Sequence, residues 1–411
     1  MRTKIWIMTL IFAMASAFAF SQQVTLTMAG WGGTSEPQFK RILAEFERTH
    51  PNIKVQYSVI TGNDYWTKLQ LGFATGTGYD VFWMHPKNAY MYMPQGVLLD
   101  LQPYMDADKF NLGAYDEKFK IPFRYKGDMY AIPSFYNDIV AFYNKKILKD
   151  AGVDFPKANW TWDDFLALGK KLTKRDNGKA TLYGLGSDIA GETFLYDFIL
   201  QNGGKIYSDD KTKCVIDSPA NRETFQWLLD LIYKQQVFPT PSDLAETNSR
   251  SMFQGNMIAI EVDGSWMLKA YADALGIDNL GIAELPMHKV KGSVVNNNGY
   301  AAMAKTKHPK EAWELLKFLA GQYSSQVISE LYIPCPSGDS GMWVPQYHGV
   351  TGFNNVFSTL AFSTPYPFAK SNINQAEDVF LQHANRIFSS PELAPDALAN
   401  MQSEMNDAIN K

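Results

Sequence analysis

Three tryptophans stand where strands hand over to loops. Trp31 lies in Gly30-Trp31-Gly32-Gly33 after the β-prone run Val24 to Met28, Trp83 lies near the end of the run Asp80 to Met84, and Trp266 follows Asp263-Gly264-Ser265 after the run Met257 to Val262. An indole there offers a flat apolar face, and amide, carboxylate or ammonium neighbours offer hydrogen bonds. That pairing suits a polar ligand with apolar faces, such as a sugar ring with its C–H patches and hydroxyls. Tyr136-Asn137-Asp138, after Pro133, and His85, just beyond Trp83, add polar candidates of the same kind. The competing reading for each tryptophan is core packing, and it is the expected one for Trp66 and Trp227, which sit at helical spacing among apolar residues. A lone histidine such as His85 is likewise commonly a packed residue.

Residues for bond-breaking chemistry are scarce. There is no G-x-S-x-G elbow, H-E-x-x-H helix, Walker A lysine loop or metal-spaced Cys/His pair, and Gly184-Leu185-Gly186 lacks the third glycine of a dinucleotide loop. No cofactor and no metal site are therefore expected. A glycosidase needs two opposed carboxyls. Asp163/Asp164, Glu192/Asp197 and Asp106/Asp108 are nominal pairs, but helix capping, a helical position and a polar loop explain them as well.

The chain has 411 residues, 46% hydrophobic and 14% aromatic, with two cysteines and six histidines. This is globular composition with room for two to three domains. With 38 Lys+Arg against 42 Asp+Glu, the net charge of -4 gives no field for a nucleic acid. Arg2 and Lys4 precede an uncharged run from Ile5 to Phe20, and Ala17, Ala19 and Ser21 supply small residues for cleavage. That is the pattern of a secretory signal peptide over 1–21, and the apolar run is short for a membrane span. No cysteine lies near the cleavage point, so a free periplasmic protein is expected, not a lipoprotein. Cys214 and Cys335 would then meet an oxidising compartment, as a disulfide or as two buried thiols.

The elements that must hold the tryptophans read as alternating strands and helices. Ser35 is expected to cap a helix, with Gln38 three residues later, Pro37 in its first turn and Phe39, Ile42, Leu43 and Phe46 on one face. Val55, Tyr57 and Val59 alternate as a strand, and a helix with Trp66, Leu69 and Phe73 follows. The result is β-α-β-α-β, an open α/β layer that binds ligands outside the carboxyl ends of its strands. Helices are also expected after Thr161 with Asp164 as capping partner, after Ser218-Pro219, and after Pro309. No repeat indicates a solenoid or propeller.

Taken in order, several segments resemble the extracellular solute-binding proteins of bacterial ABC importers, in particular the carbohydrate group to which the maltose binder belongs. They are Trp31-Gly32, Pro51 to Val55, Gly76-Thr77-Gly78-Tyr79-Asp80-Val81-Phe82-Trp83, Gly96 to Leu101, Tyr130 to Pro133 with Phe142 to Lys145, Trp160 to Asp164, Gly203-Gly204, Phe253 to Met257 with Gly264-Ser265-Trp266, Asn298-Gly299-Tyr300 and Glu311 to Trp313. The resemblance implies an α/β, two-lobe periplasmic-binding-protein fold of type II with ligand between the lobes. The first lobe is expected over 22–135 plus 296–335 and the second over 136–295 plus 336–411. It implies a monomer that captures a sugar and delivers it to a membrane permease. It also places Trp83, Lys87, Asn137, Tyr196, Trp266, Asn298 and Gly299 at ligand-facing positions. With the residue-based candidates, the expected site is Trp31, Gly32, Trp83, His85, Lys87, Tyr136, Asn137, Asp138, Glu192, Tyr196, Asp263, Trp266, Asn298 and Gly299. Pro86 stands where the maltose binder has an acidic residue and Tyr79-Asp80 where the family has Pro-Asp, so different hydrogen bonding to the sugar is expected. A secreted glycosidase, or the same fold holding a non-sugar solute, stays open as an alternative.

Overall fold

The computed structural model describes residues 23–411 apart from 33–34, 63, 114, 189–190, 332 and 335–346. The expected signal peptide and Cys335 lie outside the described residues. Cys214 is buried, with its Sγ 3.4 Å from Met405 Sδ. No helix among the described residues is long and apolar enough to cross a membrane.

Strand Val24–Trp31 pairs in parallel with Ile53–Ile60 on one side and Val81–Met84 on the other. Helices Glu36–Thr49 and Asp64–Thr75 make the crossovers, so the expected β-α-β-α-β layer is present. The first helix buries Phe39, Ile42, Leu43 and Phe46, the stripe its periodicity called for, but the Ser35 side chain makes no cap hydrogen bond. The first strand also runs on through Gly30 and Trp31, which were expected in a loop, because they continue the ladder with Val59 and Ile60. Gly30 has a packing reason to be glycine: a Cβ there would fall 2.0 Å from the Tyr57 hydroxyl.

Two long strands carry the chain across the molecule. Ile132–Asn144 and Ser293–Ala302 are antiparallel partners, with Asn137 opposite Asn296. At one end Ser293–Ala302 joins Val81–Met84, and at the other Ile132–Asn144 joins Ile258–Gly264 and Leu280–Ala283. Strand Lys179–Gly186 extends the sheet further, in parallel with Ile258–Gly264. Both crossing strands are buried along their whole length. The expected lobe boundaries near 135/136 and 295/296 fall inside them.

Two apolar cores form on either side. One surrounds the first layer and helix Pro309–Leu319, and the other surrounds helices Trp162–Leu172, Pro219–Leu229 and Ile373–Phe388. The Thr161/Asp164 capping box is formed in full, and Ser218 caps its helix by accepting from the Asn221 backbone N–H. The first core reaches further along the chain than the first layer: Phe253 and Tyr271 join it through Phe142, with ring centroids 4.7 and 5.0 Å from Tyr271.

Candidate functional site

A cavity of about 820 Å³ opens where the two cores face each other across the crossing strands. This lies in the upper part of the usual ligand-pocket range of roughly 300–1,000 Å³.

One wall is aromatic. Trp31, Trp66 and Trp83 form a triangle with ring centroids 5.4 to 5.7 Å apart and planes tilted by 33 to 42°. Buried Tyr65 backs all three edge-on and donates its hydroxyl hydrogen to the Trp83 carbonyl at 2.6 Å. Trp66 is therefore a cleft residue, against the expectation of a core one. The helix does present a buried stripe to the core, but Tyr65, Leu69 and Phe73 occupy it, one residue out of phase with Trp66. Gly32 ends this wall with φ +70°, a turn that favours glycine.

The facing wall is built from one ring and a charge pair. Trp266 sits in the turn Ser265–Met267 against Gly264, where a Cβ would come within 2.0 Å of the indole. The Arg250 guanidinium lies 5.9 Å from the Trp266 ring and is held by Asp263 through two bonds of 2.8 and 2.9 Å. Burial works against the Arg250 charge, but the Asp263 contact outweighs it and raises the pKa. Asp263 also accepts the Tyr271 hydroxyl at 2.7 Å. Its place is behind the wall, holding Arg250, not in the cavity lining.

The floor follows from the two-residue period of its strands. Phe135 and Asn137 line the cavity, whereas Tyr136 and Asp138 point to the opposite side. Tyr136 stacks on Phe119 at 4.7 Å, and Asp138 is fully buried, so burial pushes its carboxyl well above the ordinary range. Those two candidates belong to the core. On the return strand Asn296, Asn298 and Tyr300 line the cavity, while Asn297 turns away and donates to the Phe119 carbonyl at 2.8 Å. Gly299 sits at a register shift, where a Cβ would come within 2.5 Å of the Ile132 carbonyl oxygen. Its role is to let the strands approach, not to touch a ligand. The Oδ1 atoms of Asn137 and Asn298 are buried and have no hydrogen-bond partner among the described residues. Buried amides of this kind are normally satisfied.

The polar end joins distant segments. Lys87, on helix Pro86–Tyr92, pairs with Glu377 of helix Ile373–Phe388, and the Tyr366 hydroxyl donates to the same carboxylate. Asn296 Nδ2 donates to Glu192 Oε2 at 3.0 Å and lies 2.7 Å from His85 Nε2. Burial, and secondarily the Lys87 charge, push the His85 pKa down to about 3, so the ring is neutral. Burial, then the neighbouring Glu377 charge, push Glu192 up to about 7. Tyr196 does not line the cavity. It is buried with its ring 5.3 Å from Tyr366 and 5.1 Å from Phe380, supporting Tyr366 from behind.

Of the expected residues, then, Trp31, Gly32, Trp83, His85, Lys87, Asn137, Glu192, Trp266 and Asn298 share the cavity. Tyr136, Asp138, Tyr196, Asp263 and Gly299 stand behind it. Sequence reasoning missed Trp66, Arg250, Asn296, Tyr366 and Glu377. The run Asn296-Asn297-Asn298 inside a strand was a usable signal for Asn296, since amides are poor strand formers. The nominal catalytic pairs are otherwise engaged: Asp164 caps its helix, buried Asp197 accepts the Val294 backbone N–H at 2.7 Å, and Asp108 accepts the Trp313 indole N–H at 2.8 Å.

A cleft between two α/β layers, walled by rings and floored by amides on crossing strands, is the architecture of a solute-binding protein. The family model described as bacterial extracellular solute-binding protein matches residues 32–322, and the chain belongs to that family. An uncharacterised ABC transporter extracellular-binding protein of Pyrococcus horikoshii is 27% identical over 328 residues, 78% of this chain and 73% of its own length. The arabinooligosaccharide-binding protein of Bacillus subtilis is 25% identical over 331 residues, 77% and 74% of the two chains. Among solved structures, the ABC substrate-binding protein of Listeria monocytogenes in complex with cycloalternan superposes with a TM-score of 0.86 at 25% identity, covering 94% of this chain and 99% of that one.

Proposed function

We propose that the cleft captures a carbohydrate of one or a few rings, and that the chain delivers it unaltered to the membrane permease of an ABC importer. The carrying observation is the arrangement of rings and amides: three indoles on one wall, Trp266 on the other, and between them the Oδ1 atoms of Asn137 and Asn298, which have no partner among the described residues. Indoles take the C–H faces of a sugar, and the amides complete their bonding with its hydroxyls. On this reading the contacts are Trp31, Trp66, Trp83 and Trp266 for the ring faces and Asn137, Asn298, His85, Lys87 and Glu192 for the hydroxyls. The cavity volume suits more than a single ring.

Two lobes, 22–135 with 296–335 and 136–295 with 336–411, would close about the crossing strands, and ligand would shift the population toward the closed form that the permease recognises. The protein would work as a monomer in the periplasm, free of the membrane after removal of residues 1–21. The relative named as an arabinooligosaccharide-binding protein and the solved neighbour in complex with cycloalternan support an oligosaccharide over a metal chelate or polyamine.

Isothermal titration against mono-, di- and oligosaccharides, with chromatography of the sugar recovered afterwards, tests the proposal. One-to-one binding with intact sugar supports it. Turnover of the sugar would instead make the chain a glycosidase.

A further inference from the structure

The charges that line the cleft do not cancel evenly. Each cation has its own carboxylate: Lys87 pairs with Glu377, Arg250 with Asp263, and Lys269 with Asp273 at 2.5 Å. Glu192 is left over. It lines the cavity, its hydrogen-bond partner is the Asn296 amide, and no cation among the described residues lies within ion-pair distance.

The hydrogen bonds around Glu192 also constrain its proton. The Lys87 backbone N–H donates to His85 Nδ1 at 3.2 Å, so the neutral imidazole carries its proton on Nε2. That proton points at the Asn296 amide nitrogen, which lies 2.7 Å away and donates to Glu192 Oε2, and an oxygen is needed there to accept it. Which end of an amide is oxygen is assigned from such networks. With the oxygen facing His85, the same atom lies 3.0 Å from Glu192 Oε2, and two oxygens at that distance share a proton only if Glu192 holds one. Ionising Glu192 turns the amide round and forces His85 to give up its bond from Lys87. Burial and the Glu377 charge act in the same direction, raising the pKa to about 7, while the Asn296 N–H, when it faces the carboxylate, and the Lys87 and Arg250 charges oppose them. The remaining titratable neighbours are Tyr366, Tyr196 and Asp197; burial pushes all three upward, which keeps the two phenols uncharged near neutral pH.

We infer, on the reading that the cleft takes a saccharide, that Glu192 decides the charge class of that saccharide: neutral and amine-bearing rings are accepted, and carboxylate-bearing rings are turned away once Glu192 is ionised. An ionised carboxylate with no cation of its own repels a second carboxylate in a poorly solvated cleft, and it accepts from a hydroxyl or an ammonium. Below neutral pH the protonated carboxyl donates instead, and the barrier to an acidic ring falls.

The test compares galactose and galacturonate trimers by titration calorimetry at about pH 8.5 and about pH 5.5, in the wild type and in Glu192→Gln. At the higher pH the wild type should prefer the neutral trimer by about tenfold or more, and Glu192→Gln should cut that preference about fivefold. Lowering the pH should narrow it in the wild type alone. Equal affinity for both trimers at the higher pH, or a preference that Glu192→Gln leaves intact, overturns the inference and leaves the saccharide reading standing. If neither these trimers nor glucose and glucosamine trimers bind, the saccharide reading is what fails. The proton on Glu192 is then read in the ligand-free protein from its carboxyl carbon resonance, assigned by its loss in Glu192→Gln. A titration midpoint near 7 supports the account of Glu192, and one below about 5 overturns it.

Discussion

The two walls of the cleft reach a similar surface by different means. The Trp31, Trp66 and Trp83 wall is held by ring packing over Tyr65, so each indole has two aromatic neighbours and a buried support. The Trp266 wall has a single ring beside a guanidinium, and its geometry depends on the chain Tyr271 to Asp263 to Arg250. Apolar packing is distributed and tolerant, whereas a partly buried charge pair concentrates its cost on one contact. The two walls should therefore fail differently when cut.

The largest effect is expected on the second wall. Removing the carboxylate with Asp263→Ala leaves Arg250 without its counter-ion, which should cost about 2 kcal/mol of stability and about tenfold or more in sugar affinity. A variant as stable as the wild type by chemical denaturation would show that the pair is dispensable. Next comes Trp266→Ala, expected to weaken binding about tenfold, or about 1.4 kcal/mol, with a melting temperature near that of the wild type. Calorimetry returning an unchanged dissociation constant would take Trp266 out of the site. On the first wall Trp31→Ala should cost only about threefold, because Trp66 and Trp83 keep most of the stacking surface. A loss as large as that of Trp266→Ala would erase the contrast between the walls.

The smallest effect concerns pH at the polar end. His85 has its folded pKa lowered from 6.5 to about 3, so below 6.5 the unfolded chain binds a proton that the folded one does not. Stability contributed by the neutral ring is complete above about 6.5 and declines as the pH falls toward 3. Melting curves of the wild type and His85→Asn should converge as the pH drops through that range. Parallel curves would mean that the ring is protonated in the fold.

The same contrast explains what the sequence could and could not convey. The first wall is local: one β-α-β-α-β stretch contains all three indoles, and hydrophobic periodicity placed Trp31 just past one strand and Trp83 near the end of another. Trp66 was misread because a 3.6 period fits a face that includes it about as well as the true face at Tyr65, Leu69 and Phe73. The floor was half legible. Asn137 and Asn298 came from the family resemblance, but choosing between Asn137 and its neighbours Tyr136 and Asp138 needs the register of a strand buried on both faces, which carries no alternation of polarity. The polar end was out of reach. Glu377 meets Lys87 across 290 positions of chain and Tyr366 joins them through Glu377, and each is unremarkable among its sequence neighbours.

The claim that organises all of this is that the cleft holds a sugar and releases it unchanged. Calorimetric titration of the purified wild-type protein with a saccharide panel, followed by recovery of the ligand, tests it most directly. The account predicts saturable one-to-one binding of at least one saccharide series with a dissociation constant on the order of micromolar, about -8 kcal/mol, and full recovery of intact sugar. Heat-silent titrations across the whole panel, or recovery of shortened sugar, would contradict it.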